Sequence, residues 1–180
     1  MTDTALPDDP LEFLRPSPEH LQWVVLHTRP RCEKKLVLHS RQKHARTYMP
    51  TVRRVHNYGK RVRHYDVPLF NGYVFAQIER NDRAWFRQNP YVANLIEVLE
   101  EERMLAPLRA VAEALKAEVP VEVLPFLQPG RTVKIIGGPM KGAEAVVAEI
   151  KGKNRVILQL ELIQQSVAME IDAAYLKAAD

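Results

Sequence analysis

The chain has 180 residues, 46% of them hydrophobic, a single cysteine and a formal net charge of +4. That content can bury a core in one or two domains, and no apolar run approaches the roughly twenty residues that span a bilayer. No secretory leader pattern opens the chain and the lone Cys32 excludes an internal disulfide framework, so a cytoplasmic, reducing setting with no membrane contact is expected.

In chain order, residues 1–20 are rich in Pro and Asp and read as a flexible tail. Trp23-Val24-Val25-Leu26-His27 reads as a strand with Trp23, Val25 and His27 on one face. Pro30 suits a first helical turn, and a helix is predicted from there to about Lys43. At 100° per residue Cys32, Leu36 and Ser40 share one side of it, and Arg31, Lys34, Lys35, Arg41 and Gln42 the other. After Met49-Pro50, the segments Thr51–His56 and Arg61–Tyr65 flank Asn57-Tyr58-Gly59-Lys60 as a basic β-hairpin. Leu69-Phe70-Asn71-Gly72 then turns the chain into the strand Tyr73–Ile78. A second helix is predicted over Asp82–Gln88, a strand over Leu95–Leu99 and a third helix from Pro107 to near Glu118. Residues 119–127, with Pro120 and Pro125 and no helical period, read as a linker.

The net charge hides an asymmetry along this order. Residues 29–64 hold twelve Lys or Arg against the single acid Glu33, a net +11, while the remainder holds fourteen against twenty-one, a net −7. Concentrated positive charge on an otherwise acidic protein is what contact with a phosphate backbone requires. A solvated basic face is the plainer reading of the same run.

In the last fifty residues, Gly130–Ile136 alternates as a strand, meets Gly137-Gly138-Pro139-Met140-Lys141-Gly142 as a turn, and passes into a second apolar strand at Ala145-Val146-Val147. Lys151–Asn154 makes a further hairpin loop, and Val156, Leu158, Leu160 and Leu162, then Val167, Met169 and Ile171, repeat with period two. Four or five short strands in this space suggest a small barrel. The spacing of Gly130, Val133, Gly137, Gly138, Pro139, Lys141 and Gly142 resembles a KOW motif, found in ribosomal proteins and in NusG-type transcription factors.

The front half decides between these. A Trp23-Val-Val-Leu-His-Thr strand, a Pro30-Arg-Cys-Glu-Lys helix, Met49-Pro50, a basic hairpin with Gly59-Lys60, and Pro68-Leu-Phe-Asn-Gly-Tyr-Val-Phe75 resemble the NusG N-terminal domain. The resemblance implies four segments: a tail over 1–20, an α+β domain with an antiparallel sheet and helices over 21–118, a linker over 119–127, and an all-β KOW barrel over 128–180. It implies a transcription elongation factor that binds the clamp helices of RNA polymerase through an aromatic pocket. Tyr73 and Phe75 match the family's pocket aromatics, and Trp23, His27 and Phe70 are assigned to the same surface. Asn71 stands where the family usually has proline, and the turn is expected to survive with less rigidity.

Three features resemble the specialised RfaH-like antitermination branch: Arg29, Lys35 and His39 at DNA-contact positions, Ala145 where KOW domains usually carry Gly, and a helix-tolerant C-terminal composition. The last implies an alternative in which the C-terminal domain folds as a helical hairpin, with Leu158, Leu160, Leu162 and Ile163 covering Tyr73 and Phe75. Upstream or non-template DNA would be met by Arg29, Arg31, Lys34, Lys35, His39, Arg53, Arg54, Lys60 and Arg61. The KOW domain would recruit Rho or a small-subunit ribosomal protein, and the chain is expected to be a monomer.

A KOW-containing RNA-binding or ribosome-associated protein is the competing class. An enzyme is not expected. The sequence holds no Gly-x-Ser-x-Gly elbow, phosphate-binding Gly-rich loop or metal-spaced Cys/His cluster, and no cofactor or metal is anticipated.

Overall fold

The structure is a computed structural model that describes residues 9–59, 61–125, 130–150 and 153–179. In chain order the elements are α1 (Pro10–Phe13), β1 (Leu21–Thr28), α2 (Glu33–Ser40), β2 (Arg46–Tyr48), β3 (Thr51–Tyr58) and β4 (Arg61–Pro68). There follow β5 (Tyr73–Glu79), α3 (Arg83–Arg87), β6 (Val92–Glu97) and α4 (Glu101–Lys116). The chain ends with β7 (Val121–Pro125), β8 (Arg131–Ile135), β9 (Glu144–Ile150), β10 (Lys153–Leu160), β11 (Gln165–Met169) and β12 (Leu176–Ala178). These form two units, Pro16–Leu99 and Asp9–Arg15 with Glu100–Asp180.

In the first unit, β2, β5, β1 and β6 lie side by side as an antiparallel sheet. The middles of its two inner strands, Trp23–Leu26 and Val74–Ala76, are apolar and buried on both faces. On one face Val24 and Leu26 join Val74, Ala76 and Ile78 beneath Leu36 of α2 and Phe86 of α3. Trp23, Val25 and Phe75 alternate onto the opposite face and are equally buried. β3 and β4 form a separate two-stranded ribbon, longer than the predicted hairpin because pairing continues from Thr51 with Pro68 to Tyr58 with Arg61. Burial pushes the phenol of Tyr48 on β2 well above its ordinary range.

Two predicted helices of the first unit shift. α2 starts at Glu33 rather than Pro30, because Arg31 holds a left-handed backbone (φ 60°) that a right-handed helix cannot contain. After Ser40 the chain tightens into a 3₁₀ turn over Arg41–Lys43. Cys32 is the N-cap and only half-buried, while Glu33, Leu36 and Ser40 face inward. α3 covers Arg83–Arg87, also behind a 3₁₀ turn, and the following strand begins at Val92 instead of Leu95.

The second unit is a six-stranded antiparallel sheet ordered β12, β8, β9, β10, β11, β7. Val133, Ala145, Val156, Leu158, Val167 and Met169 share its interior face through the strand register. The expected all-β C-terminal fold is formed, with Leu158 and Leu160 in β10, so the helical-hairpin alternative is not the described state. β10 ends at Leu160, and Ile163 rather than Leu162 is buried in the turn that follows.

The stretch read as a linker contains β7, which pairs with β11 from Val121 opposite Met169 to Pro125 opposite Gln165. Residues 126–129 and 151–152 lie outside the described residues. α4 starts six residues before Pro107 and carries that proline inside. It rests on β10, and Arg103 pairs with Glu161 at 2.5 Å. Part of the expected tail is ordered too. α1 is capped by Asp9, which accepts from Leu11 N at 3.1 Å. Lys116 of α4 meets the same carboxylate at 2.9 Å, and these two hydrogen bonds hold it below the usual carboxylate range. Residues 1–8 of that tail lie outside the described residues.

Candidate nucleic-acid and partner surfaces

The aromatic surface is set by strand register. β1 and β5 run antiparallel with His27 opposite Tyr73 and Val25 opposite Phe75. The His27 and Tyr73 rings stack with centroids 5.0 Å apart and planes 18° from parallel. Phe70 meets Phe75 edge to face at 6.0 Å. Trp23, Phe70 and Phe75 are almost wholly buried, whereas His27 and Tyr73 keep part of their surface.

The turn into β5 survives with Asn71 in place of proline, closed by Tyr73 N donating to Phe70 O at 3.2 Å. Gly72 takes φ +84°, a conformation that side chains disfavour. Its N–H donates to Glu33 Oε1 at 2.8 Å, and its carbonyl accepts from Thr28 N at 2.8 Å. Glu33, the lone acid of the basic segment, is therefore buried as the anchor of the aromatic turn. In the sequence it stands out by its isolation among twelve bases and by its place in the Pro30–Lys34 run.

Beside this turn lies an open cleft of about 820 Å³, walled by Arg29, Arg31 and Lys34 on one side and Tyr65, Asp66 and Gly72 on the other. Lys34 Nζ donates to the carbonyl of Asp66 at 2.7 Å, which ties α2 to β4. Arg29, Arg31, Lys34 and Lys35 are exposed. His39, at the far end of α2, packs instead on Trp85 and Tyr91.

The ribbon presents two unlike faces. Pairing of Arg54 with Tyr65 and of Tyr58 with Arg61 puts Arg54, Arg61, Arg63 and Tyr65 on one face by alternation. The other carries Val55 and Val62, which are 56% and 58% exposed, with His64 and the Arg53–Asp66 ion pair at 3.7 Å. Arg53 and Arg54 thus point to opposite faces, and Lys60 lies outside the described residues.

Two family profiles match this arrangement. The one described as transcription termination factor nusG matches residues 21–116, and the KOW motif matches residues 129–159. The chain belongs to the NusG family. Its domains are therefore those of a transcription factor. A solved structure of Thermotoga maritima NusG, described as domain interaction in that protein, is similar at 23% identity with a TM-score of 0.53. The likeness covers 89% of this chain and 98% of the other, and it concerns the fold alone. A chain of the MjSpt4:Spt5 complex in conformation B aligns over 87% of this chain and 95% of its own. Its identity is 19% and its TM-score of 0.27 carries no argument. No curated protein matches.

The NusG profile includes α4, yet α4 groups with the C-terminal strands in the structure. In the KOW unit the turn glycines answer to a residue that sequence reading passed over. A Cβ on Gly137 would fall 2.4 Å from the Tyr175 ring, so only glycine lets that ring lie on the turn. Tyr175 O accepts from Ile136 N at 2.7 Å and fixes the approach. Val133 and Ala145 face each other in the interior, and Gly130, Gly138, Pro139 and Lys141 are exposed along the same strand and turn. Gly142 N–H donates to Ile135 O at 2.7 Å and closes the turn. Among the described residues no His, Cys, Asp or Glu cluster could hold a metal ion, and no helix is long and apolar enough to cross a membrane.

Proposed function

We propose that this NusG-family protein is a non-enzymatic, cytoplasmic transcription elongation factor of the specialised, antitermination type. Its N-terminal domain, residues 21–118, grips the clamp helices of RNA polymerase, and its KOW domain, residues 128–180, recruits Rho or a small-subunit ribosomal protein. The observation that carries this reading is the His27–Tyr73 stack, partly open to solvent and backed by the buried Phe70–Phe75 pair. A rigid aromatic platform of that kind receives one face of a partner helix. Trp23, Phe70 and Phe75 shape the platform from beneath, and His27 and Tyr73 make the contact.

Arg29, Arg31, Lys34 and Lys35 around α2, with Arg54 and Arg61 on the ribbon, then follow upstream or non-template DNA. The test is binding of the monomeric chain to core RNA polymerase, wild type against His27→Ala/Tyr73→Ala. A loss of roughly thirtyfold is expected with the fold intact. Unchanged binding would remove the clamp-helix assignment. Absence of binding by wild type, joined to tight binding of ribosomal RNA, would move the protein to the ribosome-associated class.

A further inference from the structure

The cleft beside the Gly72 turn is lined at its floor by Thr28, the last residue of β1. Thr28 is 3% exposed, and its Oγ1 is buried without a hydrogen-bond partner among the described residues. The backbone there is fixed, because Thr28 N donates to Gly72 O at 2.8 Å. A buried hydroxyl left unpaired is unfavourable, and a polar atom entering at the floor relieves it. The register of β1 against β6 also slips between His27 and Thr28, an irregularity of the kind that re-aims a side chain at a site.

Around that floor the walls suit an anion. α2 begins here with Cys32 as an N-cap that makes no side-chain hydrogen bond, and a helix start attracts negative charge. Arg29 and Arg31 are exposed at this start. The backbone that carries Arg29 is pinned twice, its N–H donating to Tyr91 O at 2.9 Å and its carbonyl accepting from Cys32 N at 3.1 Å. Lys34 is the third cation, positioned by its bond to Asp66 O. The two acids of the cleft are engaged, Glu33 with the Gly72 N–H and Asp66 with Arg53. Tyr65, 44% exposed, supplies an aromatic ring on the opposite wall.

We propose that this cleft binds a free nucleoside diphosphate. Its phosphates meet Arg29, Arg31, Lys34 and the start of α2, a terminal phosphate oxygen takes the Thr28 hydroxyl, and its base lies on Tyr65. Cations and a helix start hold any phosphate, but the hydroxyl at the floor selects one that penetrates. A terminal phosphate is free on three sides and reaches down, whereas a phosphate within a nucleic-acid chain is esterified on both sides and stays at the rim. A cleft of about 820 Å³ has the size of a small-ligand pocket. The inference goes beyond the polymerase and DNA contacts and stands without them.

The experiment titrates the full chain calorimetrically with ADP, pyrophosphate and adenosine, and separately with a short oligothymidine that has no terminal phosphate. ADP should bind at one saturable site, pyrophosphate roughly tenfold more weakly, and adenosine not at all. Thr28→Val keeps the shape and removes the hydroxyl. It should weaken ADP and pyrophosphate alike by about tenfold while raising the melting temperature of the free protein, because the unpaired buried group is gone. Tyr65→Leu should lower ADP to the pyrophosphate level and leave pyrophosphate unchanged. Absence of saturable binding by both ADP and pyrophosphate would overturn the site. Affinities that Thr28→Val leaves unchanged would reduce it to a charged surface and overturn it equally. Oligothymidine binding without ADP binding would remove the site and leave the DNA part of the functional reading standing. ADP binding without oligothymidine binding would support the site and remove that part instead.

Discussion

Two antiparallel pairs in the first unit, β1 with β5 and β3 with β4, have similar length and opposite surroundings. β1 and β5 are covered on both faces, and their side chains are chosen by packing: Val24 and Ala76 on one side, Val25 and Phe75 on the other. From Arg53 to Val55 and from Arg61 to Asp66, the described side chains of β3 and β4 are exposed on both faces. A strand freed from packing shows in its composition what it meets outside. The ribbon's arginines and Tyr65 therefore speak about partners, whereas Trp23 and Phe75 speak first about stability.

The sharpest way to break that contrast is Phe75→Ala. The ring is fully buried, and its removal should cost about 3–5 kcal/mol by urea unfolding. A loss below about 1 kcal/mol would mean the core pair is loosely packed. Next comes Glu33→Ala, which strips the acceptor from the Gly72 N–H and should cost about 1–3 kcal/mol. Glu33→Gln keeps an acceptor and should cost less; equal losses would show that charge rather than the hydrogen bond matters. Tyr48, paired with Phe75, makes the core pH-dependent. Its phenol ionises in the unfolded chain above about pH 10 but stays protonated in the folded one, so this contribution is complete below that pH and lost as pH rises through the raised folded value. Melting curves of wild type and Tyr48→Phe should diverge above pH 10, and parallel curves would contradict the burial. Smallest of all, Val55→Ser/Val62→Ser on the ribbon should shift stability by about 0.5 kcal/mol or less per site. A larger loss would mean that something covers that face.

Long periodic elements were legible because one physical term dominated each. Alternation in β1, β5 and β10 reports buried faces, and the Gly-Gly-Pro turn reports backbone angles. The misreadings cluster where a local rule met tertiary context. Pro120 and Pro125 speak against a central strand, yet β7 lies at the end of its sheet, where proline is tolerated. Pro107 by local rule marks a helix start, and the helix instead carries it at the cost of the N–H that would have met Arg103. Asp9 caps a helix because Lys116 reaches it from 107 positions away, which no local pattern encodes. The site divides likewise. The stripe of cations on α2 follows from helical spacing, but Glu33 under Gly72 and Asn89 under His39 depend on pairings 39 and 50 residues apart in sequence.

The straight pairing of β3 with β4 gives the ribbon a pitch. A strand advances about 3.4 Å per residue, so same-face neighbours such as Arg61 and Arg63 recur about every 6.8 Å. Eight paired positions without a bulge hold that spacing, so one residue inserted between Arg61 and Arg63 would put them on opposite sides of the ribbon without removing a charge.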